Sequence, residues 1–288
     1  MLDLELTGKV AIVTGGSAGL GRAAAIKLAR EGARVSICAR RKEVLERTAG
    51  EIRQAGGEVL AIPADVTRAE DVEAVVKATA ERFGGVDILL NNAGTSAAAA
   101  FMDVDDRTWQ TDIELKLMAA IRFSRLSIPI MQKRGGGVII NVTTVGGKAP
   151  AARAVPTAVT RAAGINLTKG LANEYASSGI RVNTICLGLV KSEQWERRAK
   201  GGDVEAVYRE GAKRVPIGRM GEAEEFGDLV AFLVSARAAF ITGTAINFDG
   251  ATGRSTSTSA SMCTLPVGSM SIQYGRDSTW ISSAMTSP

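Results

Sequence analysis

Residues 9–21 read Lys9-Val10-Ala11-Ile12-Val13-Thr14-Gly15-Gly16-Ser17-Ala18-Gly19-Leu20-Gly21. The apolar run is bounded by Gly8 before it and by Gly15-Gly16 after it. Without polar alternation, it predicts a parallel strand over 9–14 that is buried on both faces. A helix over 19–31 follows, closed by Gly32. Glycines between a strand and a helix permit a tight turn and let a pyrophosphate approach the backbone. The helix N-terminus adds free N–H groups and the positive end of its dipole. A ligand-free βα turn would also use glycines, but the flanking strand and helix supply the context that phosphate binding requires. Thr14, Gly15, Ser17, Gly19, Leu20 and Gly21 are the candidate contacts.

The same alternation continues along the chain. Strands are expected at 33–38, 58–63, 86–91, 136–142, 180–186 and 244–249. Helices are expected at 41–55, 69–83, 105–133, 155–178 and 222–235, with a polar excursion over 193–214. Strands alternating with helices predict an α/β fold: one doubly wound, Rossmann-like parallel sheet of about seven strands with helices on both faces. No linker interrupts residues 1–253, which form one domain. Residues 254–288 are Ser/Thr-rich without a sustained apolar period, and read as a disordered or loosely docked tail.

Composition excludes several classes of chemistry. Histidine is absent, so zinc sites and Ser-His or Cys-His nucleophilic pairs are not expected. Cys38, Cys186 and Cys263 are too dispersed for a metal or disulfide framework. The net charge of +5 is scattered, with small groupings at Arg40-Arg41-Lys42 and Arg197-Arg198, so a nucleic-acid partner is not expected. No apolar run has the length of a membrane span, and the N-terminus lacks a signal-peptide pattern, which points to the cytoplasm.

At the end of the second strand stand Arg40 and Arg41. An acid there would bind the ribose 2′-hydroxyl of NAD, whereas an arginine accommodates the 2′-phosphate of NADP. The cofactor expectation is therefore NADP rather than NAD, although a solvated helix start would also explain arginines there. Asp65 and Val66 follow the third strand, where an adenine edge would lie. Asn91, Ala93 and Gly94 follow the fourth, small and polar where the chain passes the cofactor.

The TGGSAGLG turn, the NNAG segment, the strand before residue 143 and the late ITGTAINFDG segment, in this order, resemble the short-chain dehydrogenase/reductase family over residues 5 to about 250. The resemblance implies a single NAD(P)-binding domain that forms homodimers or homotetramers, with the helices at 105–133 and 155–178 at a subunit interface. It also implies that Gly188 and Ser192 border the nicotinamide, with Ser192 at the carboxamide.

The family's four catalytic positions all depart from its pattern. Glu114 stands for the asparagine, Thr144 for the serine, Thr157 for the tyrosine and Arg161 for the lysine. Thr157 and Arg161 are four apart in one helix and share a face. Threonine cannot be tuned into the range of a tyrosine acid, and arginine stays protonated. Glu114 beside Arg161 would be either an ion pair or a carboxyl of raised pKa; Glu114, Tyr208 in the excursion or water would supply the proton, with Lys116 and Lys148 as outside candidates. The expected function is an NADP-dependent oxidoreductase interconverting an alcohol and a carbonyl through this atypical site. Thr144 would bind the substrate oxygen and Arg161 the nicotinamide ribose. The alternative is a catalytically inactive NADP-binding sensor or partner subunit. A small-molecule substrate is expected, with no metal, no nucleic acid and no membrane.

Overall fold

The computed structural model describes residues 3–193, 195 and 202–253. The expected tail at 254–288, with Cys263, and the Arg197-Arg198 pair lie outside the described residues. Among the described residues one parallel sheet contains β1 (Val10–Thr14), β2 (Arg34–Ala39), β3 (Val59–Pro63), β4 (Ile88–Asn91), β5 (Gly137–Thr144), β6 (Ile180–Leu187) and β7 (Ala245–Phe248). Their order is β3-β2-β1-β4-β5-β6-β7. The order reverses between β1 and β4, and in such sheets a ligand crevice opens beyond the strand ends at that point.

The strands are where the apolar runs placed them, and every residue of β1 and of β4 is buried. Helices cover both faces because each run is apolar on both sides. One face carries α1 (Gly19–Arg30) and α2 (Lys42–Gln54), and the other α3 (Ala69–Phe83). The late helix α8 (Ala223–Val234) packs with α1, and its Gly227 lets the backbones approach: a Cβ there would lie 3.0 Å from the Ala23 carbonyl oxygen. Phe226 beside it is fully buried, a burial that contributes roughly 1.5–3 kcal/mol.

The expected helix over 105–133 is three continuous pieces. They are α4 (Asp106–Ile113), a π-helical turn (Glu114–Met118) and α5 (Ala119–Lys133). A π turn widens the hydrogen-bond step and rotates the residues within it relative to an ordinary helix. The expected helix over 155–178 is α6 (Thr157–Tyr175) followed by a 3₁₀ turn at Ala176–Ser178. The excursion contains α7 (Val204–Ala212).

A buried polar chain links the sheet centre to α6. Asn91 Nδ2 donates to Asn141 Oδ1 at 2.9 Å, and Asn141 Nδ2 donates to Thr168 Oγ1 at 2.9 Å. The Thr168 and Thr184 hydroxyls are 2.6 Å apart. Asn91, Asn141 and Thr184 are register partners across β4, β5 and β6. Buried polar groups are tolerated when bonded in this way, and the bonds fix α6 against the sheet. That placement sets where Thr157 and Arg161 point.

Candidate active site

A cleft of about 650 Å³ opens at the ends of β1, β2 and β4. The glycine turn forms its floor, with Gly15, Ser17, Gly19, Leu20 and Gly21 in the lining. Gly15 has φ +66°, and a Cβ there would lie 3.1 Å from Ala93 Cα. A Cβ at Gly21 would lie 2.2 Å from the Gly15 carbonyl oxygen, which closes the turn to any larger residue. Gly19, at φ +52°, instead faces open space, with only Ser192 Cβ within 4 Å. Helix α1 has Ala18 at its N-cap, which gives no side-chain cap, and no acid in its first turn. Its leading N–H groups are therefore available to an anion.

Arg40 and Arg41 line one end of the cleft with Asp65 and Val66. The Asp65 carboxyl lies below the usual carboxylate range. Burial raises it, but hydrogen bonds from the Thr67 backbone and hydroxyl and the charges of Arg40 and Arg68 outweigh that effect. Ala93, Gly94, Arg161 and Ser192 line the other end. A glycine floor, an uncapped helix start, an arginine pair and a central arginine fit a phosphorylated dinucleotide.

Three expected contacts do not line the cleft. Thr14 Oγ1 accepts from the Asn92 and Ala93 backbone N–H groups at 2.9 and 3.0 Å. Asn91 belongs to the buried polar chain. At Gly188 a Cβ would lie 2.6 Å from Asp249 Cα, so this glycine serves close packing. Several lining residues were not among the expected contacts, and Asn92 and Glu193 are two that make polar contacts. Asn92 Nδ2 donates to the Thr14 carbonyl at 2.9 Å, and Glu193 pairs with Arg41 at 3.2 Å across the cleft mouth. The Arg41–Glu193 pair joins positions too distant in sequence for any local signal to reveal.

Of the four residues expected at catalytic positions, Thr144 ends β5, Thr157 opens α6, and Arg161 lies one turn further along α6. Arg161 Nη1 donates to the Val142 carbonyl at 2.6 Å, and Gly94 makes room for the guanidinium, since a Cβ there would lie 2.6 Å from Nη2. Burial pulls Arg161 down to about 10 against the opposing charge of Asp112, so it stays a cation at neutral pH. Arg161 lines the cleft, whereas Thr144 and Thr157 do not. Both are half-buried.

Glu114 is not beside Arg161 as the sequence suggested. It pairs with Arg122 at 2.7 Å and accepts from Gln110, on the side of the helix where Arg122 also reaches the Thr67 carbonyl. The π turn presents Lys116 to α6 instead. Lys116 Nζ donates to Thr157 Oγ1 at 2.9 Å and forms an ion pair with Asp112, one turn earlier. Both side chains are almost wholly buried, at 0% and 2% exposure. Thr160 Oγ1 donates to the other Asp112 oxygen at 2.7 Å, and the Ala97 N–H donates to Thr157 Oγ1 at 2.9 Å. Burial brings Lys116 down to about 8, helped by the Arg161 charge and opposed by the bond and charge of Asp112. The i,i+4 spacing of Asp112 and Lys116 was legible in the sequence, but which helix face met α6 was not.

Tyr208 and the other outside candidate, Lys148, lie elsewhere. Tyr208 lines a separate cavity of about 420 Å³ with Arg22, Lys191 and Glu222, and Lys191 Nζ sits 5.4 Å from its ring centre. Lys148 Nζ donates at 2.6 Å to both the Ala245 carbonyl and Asn247 Oδ1, tying its loop to β7.

The family profile described as Enoyl-(Acyl carrier protein) reductase matches residues 15–252. A putative ketoacyl reductase of Streptomyces coelicolor is 36% identical over 253 residues, covering 85% of this chain and 97% of that protein. The crystal structure of L-sorbose reductase from Gluconobacter frateurii, complexed with NADPH and L-sorbose, superposes with a TM-score of 0.83 at 38% identity. It covers 86% of this chain and 98% of the reductase. Actinorhodin polyketide ketoreductase with NADPH gives a TM-score of 0.81 at 35% identity, covering 85% and 97%. Sequence profile, relatives and architecture agree: the chain belongs to the short-chain dehydrogenase/reductase family of oxidoreductases.

Proposed function

We propose that this chain is an NADP-dependent oxidoreductase that interconverts a small alcohol and its carbonyl. The observation that carries the reading is the cofactor cleft, with Arg40 and Arg41 at the end of β2 where a 2′-phosphate would be held. Guanidinium groups bind phosphate through paired N–H donors as well as by charge. The N–H groups that open α1 hold the pyrophosphate, Asp65 and Val66 border the adenine, and Ser192 meets the carboxamide. Arg161 holds the ribose beside the nicotinamide, and Thr144 hydrogen-bonds the substrate oxygen. A nicotinamide bound there would supply a hydride to, or accept one from, the carbon that bears that oxygen. The two solved relatives named above are reductases held with NADPH, which supports the choice of NADP.

The resemblance extends to assembly, and the protein works as a homodimer or homotetramer through α4–α5 and α6. Val159 on α6 is 50% exposed in the single chain, which suits such an interface. Cys38 and Cys186 are free buried thiols, which suits the reducing cytoplasm. Among the described residues no helix is long and apolar enough to cross a membrane.

The test is a fluorescence titration with NADPH and NADH, on the native protein and on Arg40→Glu. NADPH is expected to bind more tightly than NADH, and Arg40→Glu to abolish the preference. Equal affinity for both sinks the NADP assignment, and absence of binding sinks the oxidoreductase reading. The threonine at the tyrosine position favours the inactive-sensor reading, which any carbonyl turnover by the native protein excludes.

A further inference from the structure

We infer that Lys116 is the proton source of this site and that the Thr157 hydroxyl carries its proton to the substrate oxygen, with Asp112 and Thr160 as positioning residues. This rests on the carbonyl–alcohol reading above and supplies the acid that it lacks.

The geometry begins with the Thr157 hydroxyl. A hydroxyl offers two acceptor positions and one donor. Both acceptor positions of Thr157 Oγ1 are filled, by the Ala97 N–H at 2.9 Å and by Lys116 Nζ at 2.9 Å. Its own hydrogen must therefore point elsewhere, and among the described residues no acceptor is recorded for it. The Lys116 ammonium cannot reach a substrate itself, because its side chain is wholly buried. Thr157 is half-buried, less enclosed than the ammonium that it contacts.

The burial of the pair argues for a function beyond stability. Desolvating two charges typically offsets their attraction, so an apolar pair would hold these helices equally well. Here Asp112 spends one oxygen on Lys116 and the other on the Thr160 hydroxyl, which fixes the carboxylate and aims the ammonium at Thr157. The charged groups facing Lys116 are Asp112 from α4 and Arg161 from α6. Burial and Arg161 weaken its hold on the proton, Asp112 strengthens it, and the outcome near 8 suits proton transfer at neutral pH.

The step balances. In carbonyl reduction the hydride supplies two electrons to carbon, and the π pair of the C=O bond moves onto oxygen. That oxygen takes the proton of the Thr157 hydroxyl while Thr157 Oγ1 takes one from Lys116 Nζ. Thr157 is never left as an alkoxide, which removes the objection that threonine is too weak an acid. Lys116 is left as a neutral amine and regains its proton from water along the same route. Alcohol oxidation runs the relay in reverse, with neutral Lys116 as base.

The experiment measures kcat/KM for NADPH-dependent reduction of a panel of small ketones against pH, alongside NADPH affinity and an NMR titration of the lysine ε-carbons. Thr157→Val removes the hydroxyl without leaving a buried charge. The double variant Lys116→Met/Asp112→Asn removes both charges together, because Lys116→Met alone could unfold the protein by stranding Asp112. In the native protein, kcat/KM for reduction is expected to fall about tenfold per pH unit above the Lys116 value of about 8. Thr157→Val and the double variant should each lose ~10²–10⁴ in kcat/KM and that pH dependence, with NADPH affinity retained. Thr157→Ser should restore activity to within about tenfold of native. One lysine ε-carbon should titrate near 8 and vanish from the spectrum of the double variant. Native turnover in Thr157→Val or in the double variant overturns the relay while leaving the oxidoreductase reading intact, and so does a Lys116 that titrates above 10. A native protein that binds NADPH but reduces no ketone overturns both.

Discussion

Lys116 Nζ donates to Thr157 Oγ1 across 2.9 Å, joining a π-helical turn to the first residue of α6. The contact puts a buried cation behind the residue that the sequence aligns with the family's tyrosine. One turn along α6, Arg161 reaches the Val142 carbonyl and the space beside Gly94. Two cations of different kinds thus stand beside one face of α6, Arg161 on the helix itself and lining the cleft, and Lys116 on the π turn behind Thr157. Asp112 acts on both, as a direct partner of Lys116 and through its charge on Arg161.

Gly94→Ala tests the place of Arg161. The new Cβ would lie 2.6 Å from Nη2, and the guanidinium, anchored to the Val142 carbonyl at 2.6 Å, must shift. NADPH affinity is expected to drop about tenfold, which corresponds to roughly 1.4 kcal/mol. Fluorescence titration checks this, and an unchanged affinity removes Arg161 from the cofactor site.

The Lys116–Asp112 pair also sets a pH dependence of stability. The folded-state value of Lys116 is about 8, below its ordinary 10.5. Between these values the unfolded chain binds the extra proton, so raising the pH through that window favours the folded state. The raised Cys38 thiol acts in the opposite sense above its ordinary 9.0, because the unfolded chain then loses a proton that the folded state keeps. Cys38 is common to the native protein and to Lys116→Met/Asp112→Asn. The stability difference, native minus variant, should therefore grow from pH 8 to pH 10 in urea denaturation. A difference that is flat or shrinking with pH would contradict a depressed Lys116.

Glu225→Ala tests the anchoring of α8. Glu225 accepts from the Glu222 backbone N–H at 2.8 Å and completes a capping box with it, while also pairing with Arg219 at 2.6 Å. The Arg219 guanidinium and the Glu222 N–H hold its carboxyl down at about 2. The cap should contribute ~1 kcal/mol. The surface ion pair adds little, because it is screened by solvent. A lowered thermal midpoint with NADPH affinity intact is expected, and loss of binding would mean that α8 shapes the cleft directly.

Much of this protein was legible along the chain because its determinants are local. Runs such as Val10–Thr14 and Ile88–Asn91 are apolar without alternation, and buried parallel strands are the structure that satisfies them. The glycine turn announced the floor of the cleft because a tight βα turn requires small residues at fixed positions. The i,i+4 spacing of Thr157 and Arg161 likewise fixed their common face.

Which carbons and charges meet across the site was decided only in three dimensions. The sequence favoured Glu114 as the partner of Arg161, yet Glu114 turned to Arg122 and Lys116 turned to Thr157. A π turn is a local change of hydrogen-bond step with no strong sequence signature, and one such turn redirects every side chain within it. Arg41 and Glu193 meet for the same class of reason: strand order in the folded sheet, rather than separation along the chain, brings the ends of β2 and β6 to one cleft. Local periodicity and the glycine turn determined the elements and the floor of the cleft by themselves. The register of α4–α5 against α6 decided which cation stands behind Thr157, because long-range packing chooses among helix faces that the sequence leaves nearly equivalent.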